Sequence, residues 1–125
     1  MARDAVTSDK LSPPDLPFSM AVRGGGLLFF SGQVATDPAT GELIGGDIAQ
    51  QTEQVLRNLA AALAEAGKDL GDVVRVGVYL TDMSQFAAMN EVYSRHFTKP
   101  YPARTAIGVA ALPLGAAVEM DVVVG

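Results

Sequence analysis

Arg104-Thr105-Ala106-Ile107-Gly108-Val109 and Ala117-Val118-Glu119-Met120-Asp121-Val122-Val123-Val124 are two short apolar runs near the C-terminus, with Leu112-Pro113-Leu114-Gly115 turning between them. Their length, β-branched content and bounding proline and glycine mark both as strands. In the second run, period-two alternation places Val118, Met120, Val122 and Val124 on one face and Glu119, Asp121 and Val123 on the other. One face of this sheet is therefore made for a core. The other carries two carboxylates, and there Glu119 can line a cleft if another surface closes over it.

Upstream lie the elements that would cover the apolar face. Val73 to Leu80 is valine-rich and reads as a strand, and Asp82-Met83-Ser84-Gln85 has the capping pattern that opens a helix. That helix carries Phe86, Met89, Tyr93 and Phe97 as its apolar stripe, with Asn90 inside the stripe and His96 at its margin. Pro100 and Pro102 end it. A longer helix begins at Asp47, an N-cap with Gln50 three residues on, and shows Ile48, Val55, Leu56, Leu59 and Leu63 at helical spacing before Gly67. Asp37-Pro38-Ala39-Thr40-Gly41 is a turn. Phe18 to Val22 and Leu27 to Ser31 are strands joined by a hairpin at Arg23-Gly24-Gly25-Gly26. Leu27-Leu28-Phe29-Phe30 has no polar alternation, which predicts cover on both faces. Residues 1–16, with Pro13-Pro14, read as a mobile or edge-hugging arm, and residues 17–125 as one domain. Strands, helix, strand, helix, strands: the class is α/β in the broad sense (α+β), a sheet packed by helices.

Composition narrows the chemistry. The 125 residues are 49% hydrophobic with few aromatics, which suggests that part of the apolar surface is closed by other subunits. A net charge of -5, with Lys and Arg scattered, argues against nucleic acid or an anionic membrane as partner. The apolar stretches are far shorter than a bilayer span, and Met1-Ala2-Arg3-Asp4 does not lead into a signal-like segment, so a cytoplasmic location is expected. With no cysteine and His96 as the only histidine, zinc-thiolate sites, thiolate nucleophiles and His-rich metal sites are excluded. Gly24-Gly25-Gly26 lacks the lysine and spacing of a phosphate loop. No cofactor or metal is expected.

Among polar residues in apolar surroundings, Arg104 and Glu119 stand out. A guanidinium at the start of a strand can hold a carboxylate through two parallel hydrogen bonds, or it can be a surface residue or a partner for an acidic side chain. An enclosed Glu119 would bind its proton more tightly and be able to orient or deprotonate a water, whereas a solvated strand glutamate would do neither. Asp121 reads as a solvated or subunit-contact charge. Ser31 lacks the setting of a serine nucleophile and reads as a strand-end hydroxyl bonded to the backbone. Asn90 is either a core amide pinning its helix to a strand or a polar contact for a ligand.

Taken in order, Pro17-Phe18-Ser19, Phe30-Ser31-Gly32-Gln33, Asp37-Pro38-Ala39-Thr40-Gly41-Glu42, Gln51 to Leu59, Val78-Tyr79-Leu80-Thr81-Asp82-Met83, Phe86 to Tyr93, Pro102-Ala103-Arg104 and Val118-Glu119-Met120 resemble the reactive intermediate deaminase (RidA) family, also called YjgF/YER057c/UK114. The likeness runs from about residue 17 to the C-terminus. It implies a chorismate-mutase-like fold, a mixed sheet packed by two helices, and a homotrimer with clefts between subunits. It further implies cofactor-independent hydrolysis of reactive 2-imino and enamine acids, such as 2-iminobutanoate and 2-iminopropanoate, to 2-oxo acids and ammonia. By the same resemblance Arg104 grips the substrate carboxylate and Glu119 positions the water, while Phe18, Ser31 and Asn90 line the cleft. The backbone carbonyl of Ile107 is expected to help hold the substrate nitrogen. Phe18 stands where many members have tyrosine, and Ile107 where cysteine is frequent. The first departure removes a hydroxyl and leaves room for a related enamine deaminase of a catabolic pathway, acting on an aminomuconate-like substrate. A non-catalytic trimer binding carboxylate metabolites is the other alternative.

Overall fold

In a computed structural model that describes residues 2–8, 11 and 15–125, six strands form one mixed sheet in the order β1-β2-β3-β6-β4-β5. The strands are β1 (Asp4–Ala5), β2 (Ala21–Gly24), β3 (Leu27–Gln33), β4 (Val73–Leu80), β5 (Ala103–Gly108) and β6 (Val118–Val124). Only β4 and β5 run parallel; the other pairs are antiparallel. β1 belongs to the arm and pairs with the outer edge of β2, which is the edge-hugging alternative. The Pro13-Pro14 reading lies outside the described residues. Gly25 and Gly26 turn the β2–β3 hairpin with φ of 58° and 79°, the paired positive angles that a tight two-residue turn needs.

Helix α1 (Ile48–Glu65) starts on a complete capping box between Asp47 and Gln50. Its Val55, Leu56, Leu59 and Leu63 are fully buried against the apolar face of the sheet, each contributing about 1.5–3 kcal/mol of transfer free energy. Gly67 follows with a φ of 73°. Helix α2 (Phe86–Tyr93) departs from the expected form at both ends. Asp82 caps a turn of 3-10 helix at Met83–Gln85 rather than α2 itself, and Gln85 does not return the bond. Phe97 is buried as expected but lies past the helix, in the chain leading to β5.

Both helices lie on the face of Val118, Met120, Val122 and Val124, all buried, whereas Glu119, Asp121 and Val123 remain partly exposed on the opposite face. Cover on both faces of β3 is not found: Leu28 and Phe30 are buried, but Phe29 is 41% exposed on the open face. The sequence is apolar there because the strand crosses the middle of the sheet, yet among the described residues no second layer covers it. No helix among the described residues is long and apolar enough to cross a membrane.

Candidate functional site

Arg104 is in register with Val76 of β4, which in turn pairs with Val122 of β6, so its side chain belongs to the helix-covered face. Because β5 is the edge strand, the cover there is α2. Nη1 of Arg104 donates to Asn90 Oδ1 at 2.6 Å, and the guanidinium carbon lies 4.7 Å from the Tyr93 ring centroid and 5.5 Å from that of Phe86. Two aromatic faces and one amide oxygen thus fix the group by cation–π attraction and a charge-assisted hydrogen bond. The ion pairs among the described residues are Arg57–Glu53, Arg95–Glu91 and His96–Glu53, and Arg104 is in none of them. A held guanidinium with unused donors borders a depression of about 400 Å³ lined by Asn90, Tyr93, Ser94, Tyr101, Pro102 and Arg104. Asn90 therefore serves the arginine directly. The sequence had left it open between a core amide and a ligand contact.

Glu119 is in register with Tyr79 of β4, and Tyr79 with Ile107 of β5, all on the open face. Its carboxylate leans across β3 at Gly32, where a methyl group would overlap it. Burial, and then the neighbouring Asp121, push its carboxyl above the usual carboxylate range. No side-chain hydrogen bond to Glu119 occurs among the described residues. Its oxygens are thus available to a water or a ligand. Gly32 is a residue whose part the sequence reading missed: it makes the space in which the Glu119 carboxylate lies.

Ser31 and Phe18 are neighbours in a second depression, of about 550 Å³, to which Pro17, Ser19, Phe29 and Phe30 also contribute. Ser31 Oγ donates to the Ser19 carbonyl at 2.6 Å, the backbone bond expected of it. Phe18 is 47% exposed and offers an apolar wall without a hydroxyl. Ile107 is placed differently from its expected part. The Val109 N–H bonds to the Leu80 carbonyl, so by alternation the peptide groups of residue 107 also face β4 and are used in the ladder, while those of Ala106 face the free edge. The carbonyl beside Arg104 that is open to a ligand is therefore that of Ala106.

Buried Gln51 is a further residue without a sequence signal: its Oε1 accepts from the Ala117 N–H at 2.9 Å and ties α1 to the start of β6, two residues before Glu119. His96 is half-buried and its Nε2 lies 2.9 Å from Glu53 Oε1.

Arg104 and Glu119 thus sit on opposite faces of one sheet, and the two depressions share no lining residue. The protein is an α+β domain with two helices on one face of a six-stranded mixed sheet, with Arg104 at its edge on the helix side and Glu119 on its bare face. The sequence pattern of the family described as Endoribonuclease L-PSP matches residues 9–125. A RutC family protein of Pyrococcus abyssi is 45% identical over 98% of this chain and 97% of its own length. The 2-iminobutanoate/2-iminopropanoate deaminase of Mus musculus is 38% identical over 97% of this chain and 90% of its own. The crystal structure of RidA from the Antarctic bacterium Psychrobacter sp. PAMC 21119 superposes with a TM-score of 0.87 at 42% identity, covering 97% of this chain and 98% of that one. The chain belongs to the Endoribonuclease L-PSP family, the YjgF/RidA family of the resemblance.

Proposed function

We propose that the protein hydrolyses small 2-imino and enamine acids to 2-oxo acids and ammonia, in clefts formed where the Arg104 edge of one copy meets the open face of the next in a homotrimer. The observation that carries this reading is the pair of half-sites: among the described residues, a fixed guanidinium without a carboxylate partner, and a carboxylate of raised proton affinity without a hydrogen-bonded partner. Each lacks what the other supplies. The name of the mouse relative gives the substrate class, 2-iminobutanoate and 2-iminopropanoate.

The chemistry needs little more. Arg104 binds the substrate carboxylate through two N–H groups while Asn90, Phe86 and Tyr93 keep the guanidinium in place. The carbon of a protonated imine is electrophilic, so water adds to it as Glu119 takes one of the water's protons. The resulting carbinolamine receives that proton on nitrogen, the C–N bond breaks with its electron pair leaving on ammonia, and the carbonyl forms as the hydroxyl proton departs. Removing such imines would protect other enzymes from them.

Phe18, with Tyr93 and Tyr101 near the arginine, favours substrates with a larger apolar side chain over the smallest imino acids. An aminomuconate-like enamine is the second reading for that reason. RNA is disfavoured by the net charge of -5 and the scattered basic residues. The test is ammonia release from freshly generated 2-iminopropanoate, 2-iminobutanoate and bulkier imino and enamine acids. Acceleration over the spontaneous rate that Arg104→Ala removes supports the assignment, and equal rates with wild type and Arg104→Ala refute it. Stabilisation by 2-oxo acids with no deamination of any substrate would leave a non-catalytic carboxylate-binding protein.

A further inference from the structure

Glu119 and Asp121 stand two residues apart on the open face of β6, and each leans over a glycine of a different neighbouring strand. Glu119 lies over Gly32 of β3. Asp121 lies over Gly77 of β4, where an added methyl would overlap Asp121 Oδ1 and come within 2.8 Å of the Tyr79 hydroxyl. That hydroxyl donates to Asp121 Oδ2 at 3.0 Å, closing an arch above Gly77. Burial, and then the bond to Asp121, push the Tyr79 phenol above its usual range, so it remains a donor throughout the neutral region.

The other groups facing Glu119 do not compete for this charge. From β4 come Tyr79 itself and Arg75, and the Arg75 guanidinium is turned to Thr105 Oγ1 at 3.2 Å. β3 contributes no titratable side chain from Leu27 to Gln33, and β5 contributes Thr105 and Ile107. Asp121 is thus the one other carboxylate on this face of β4, β5 and β6, and it is held in a single place.

We propose that Asp121, fixed over Gly77 by Tyr79, is a positioning residue of the hydrolytic site, whose negative charge bears on Glu119 and keeps that side chain over Gly32. The inference rests on Glu119 acting as the base. Two like charges on one strand face raise the cost of ionising the second, so a carboxylate held in place by the Tyr79 phenol two residues away favours proton uptake at Glu119. The two glycines let the carboxylates diverge, so that this repulsion acts through space without the pair sharing a proton.

The test compares wild type, Asp121→Asn and Asp121→Glu in the assembled protein, reading the pH dependence of kcat/KM and, in parallel, the carbon NMR titration of the Glu119 carboxyl. Asp121→Asn should move the acid limb and the NMR midpoint to lower pH and lower the plateau, and Asp121→Glu should restore the limb. Asp121→Ser serves in the same way if the Asn variant does not fold. An unmoved limb and midpoint in Asp121→Asn, with Glu119→Gln still inactive, overturns this inference and leaves the general-base reading standing. Wild-type turnover by Glu119→Gln overturns both.

Discussion

At the level of single residues, the proposed chemistry turns on how Arg104 and Glu119 are held. Arg104→Lys keeps the charge but loses the planar fork and its stacking between Phe86 and Tyr93, so kcat/KM should fall on the order of a hundredfold, as for loss of a charge-assisted bidentate contact. Steady-state kinetics on the imino acid checks this. Gly32→Ala introduces a methyl where the Glu119 carboxylate lies, at a position without positive φ, and should reduce turnover while leaving the melting temperature nearly unchanged. For Glu119 the sign of the linkage is fixed. Its carboxyl in the folded state titrates above the ordinary value of 4.5, so the folded state binds more protons there, and stability falls as pH rises from that value through the raised one. Thermal melts of Glu119→Gln should therefore gain on wild type from acid to neutral pH, and a gap that does not change with pH contradicts a carboxylate of raised proton affinity. The face of Glu119 was legible from the alternation of β6. Its glycine neighbour was not, because a residue without a side chain leaves no sign of what occupies its space.

Among the elements, α1 was the most readable, since a capping box, a complete apolar stripe and a terminal glycine agree on one answer. Asp47→Ala should cost about 1 kcal/mol of stability, measured by denaturant unfolding. The start of α2 was misread because Asp82 accepts from Ser84 and so closes a tighter turn before the α-helix begins. The same limit applied to β5. Its existence follows from composition, but whether a carbonyl faces the free edge or β4 depends on the pairing partner, and this separates Ala106 from Ile107 as the group open to a ligand. Gln51 was invisible for a similar reason: its partner, the Ala117 N–H, is distant in sequence.

For the whole molecule, the bare face of the sheet is the feature that one chain leaves unresolved. Phe29 and Ile107 are exposed there at 41% and 45%, next to Val123, Tyr79 and Glu119, on a surface more apolar than solvent contact favours. Because Arg104 and Glu119 lie on opposite faces, the proposed function joins the carboxylate side of one copy to the arginine side of another to complete a site. That claim is tested most directly by mixing two inactive variants, Arg104→Ala and Glu119→Gln, by co-refolding in equal amounts and measuring imine deamination. In any closed ring each site draws its two halves independently, so about a quarter of the wild-type activity should return. If the mixture stays as inactive as either variant alone, both residues act within one chain and the account is wrong.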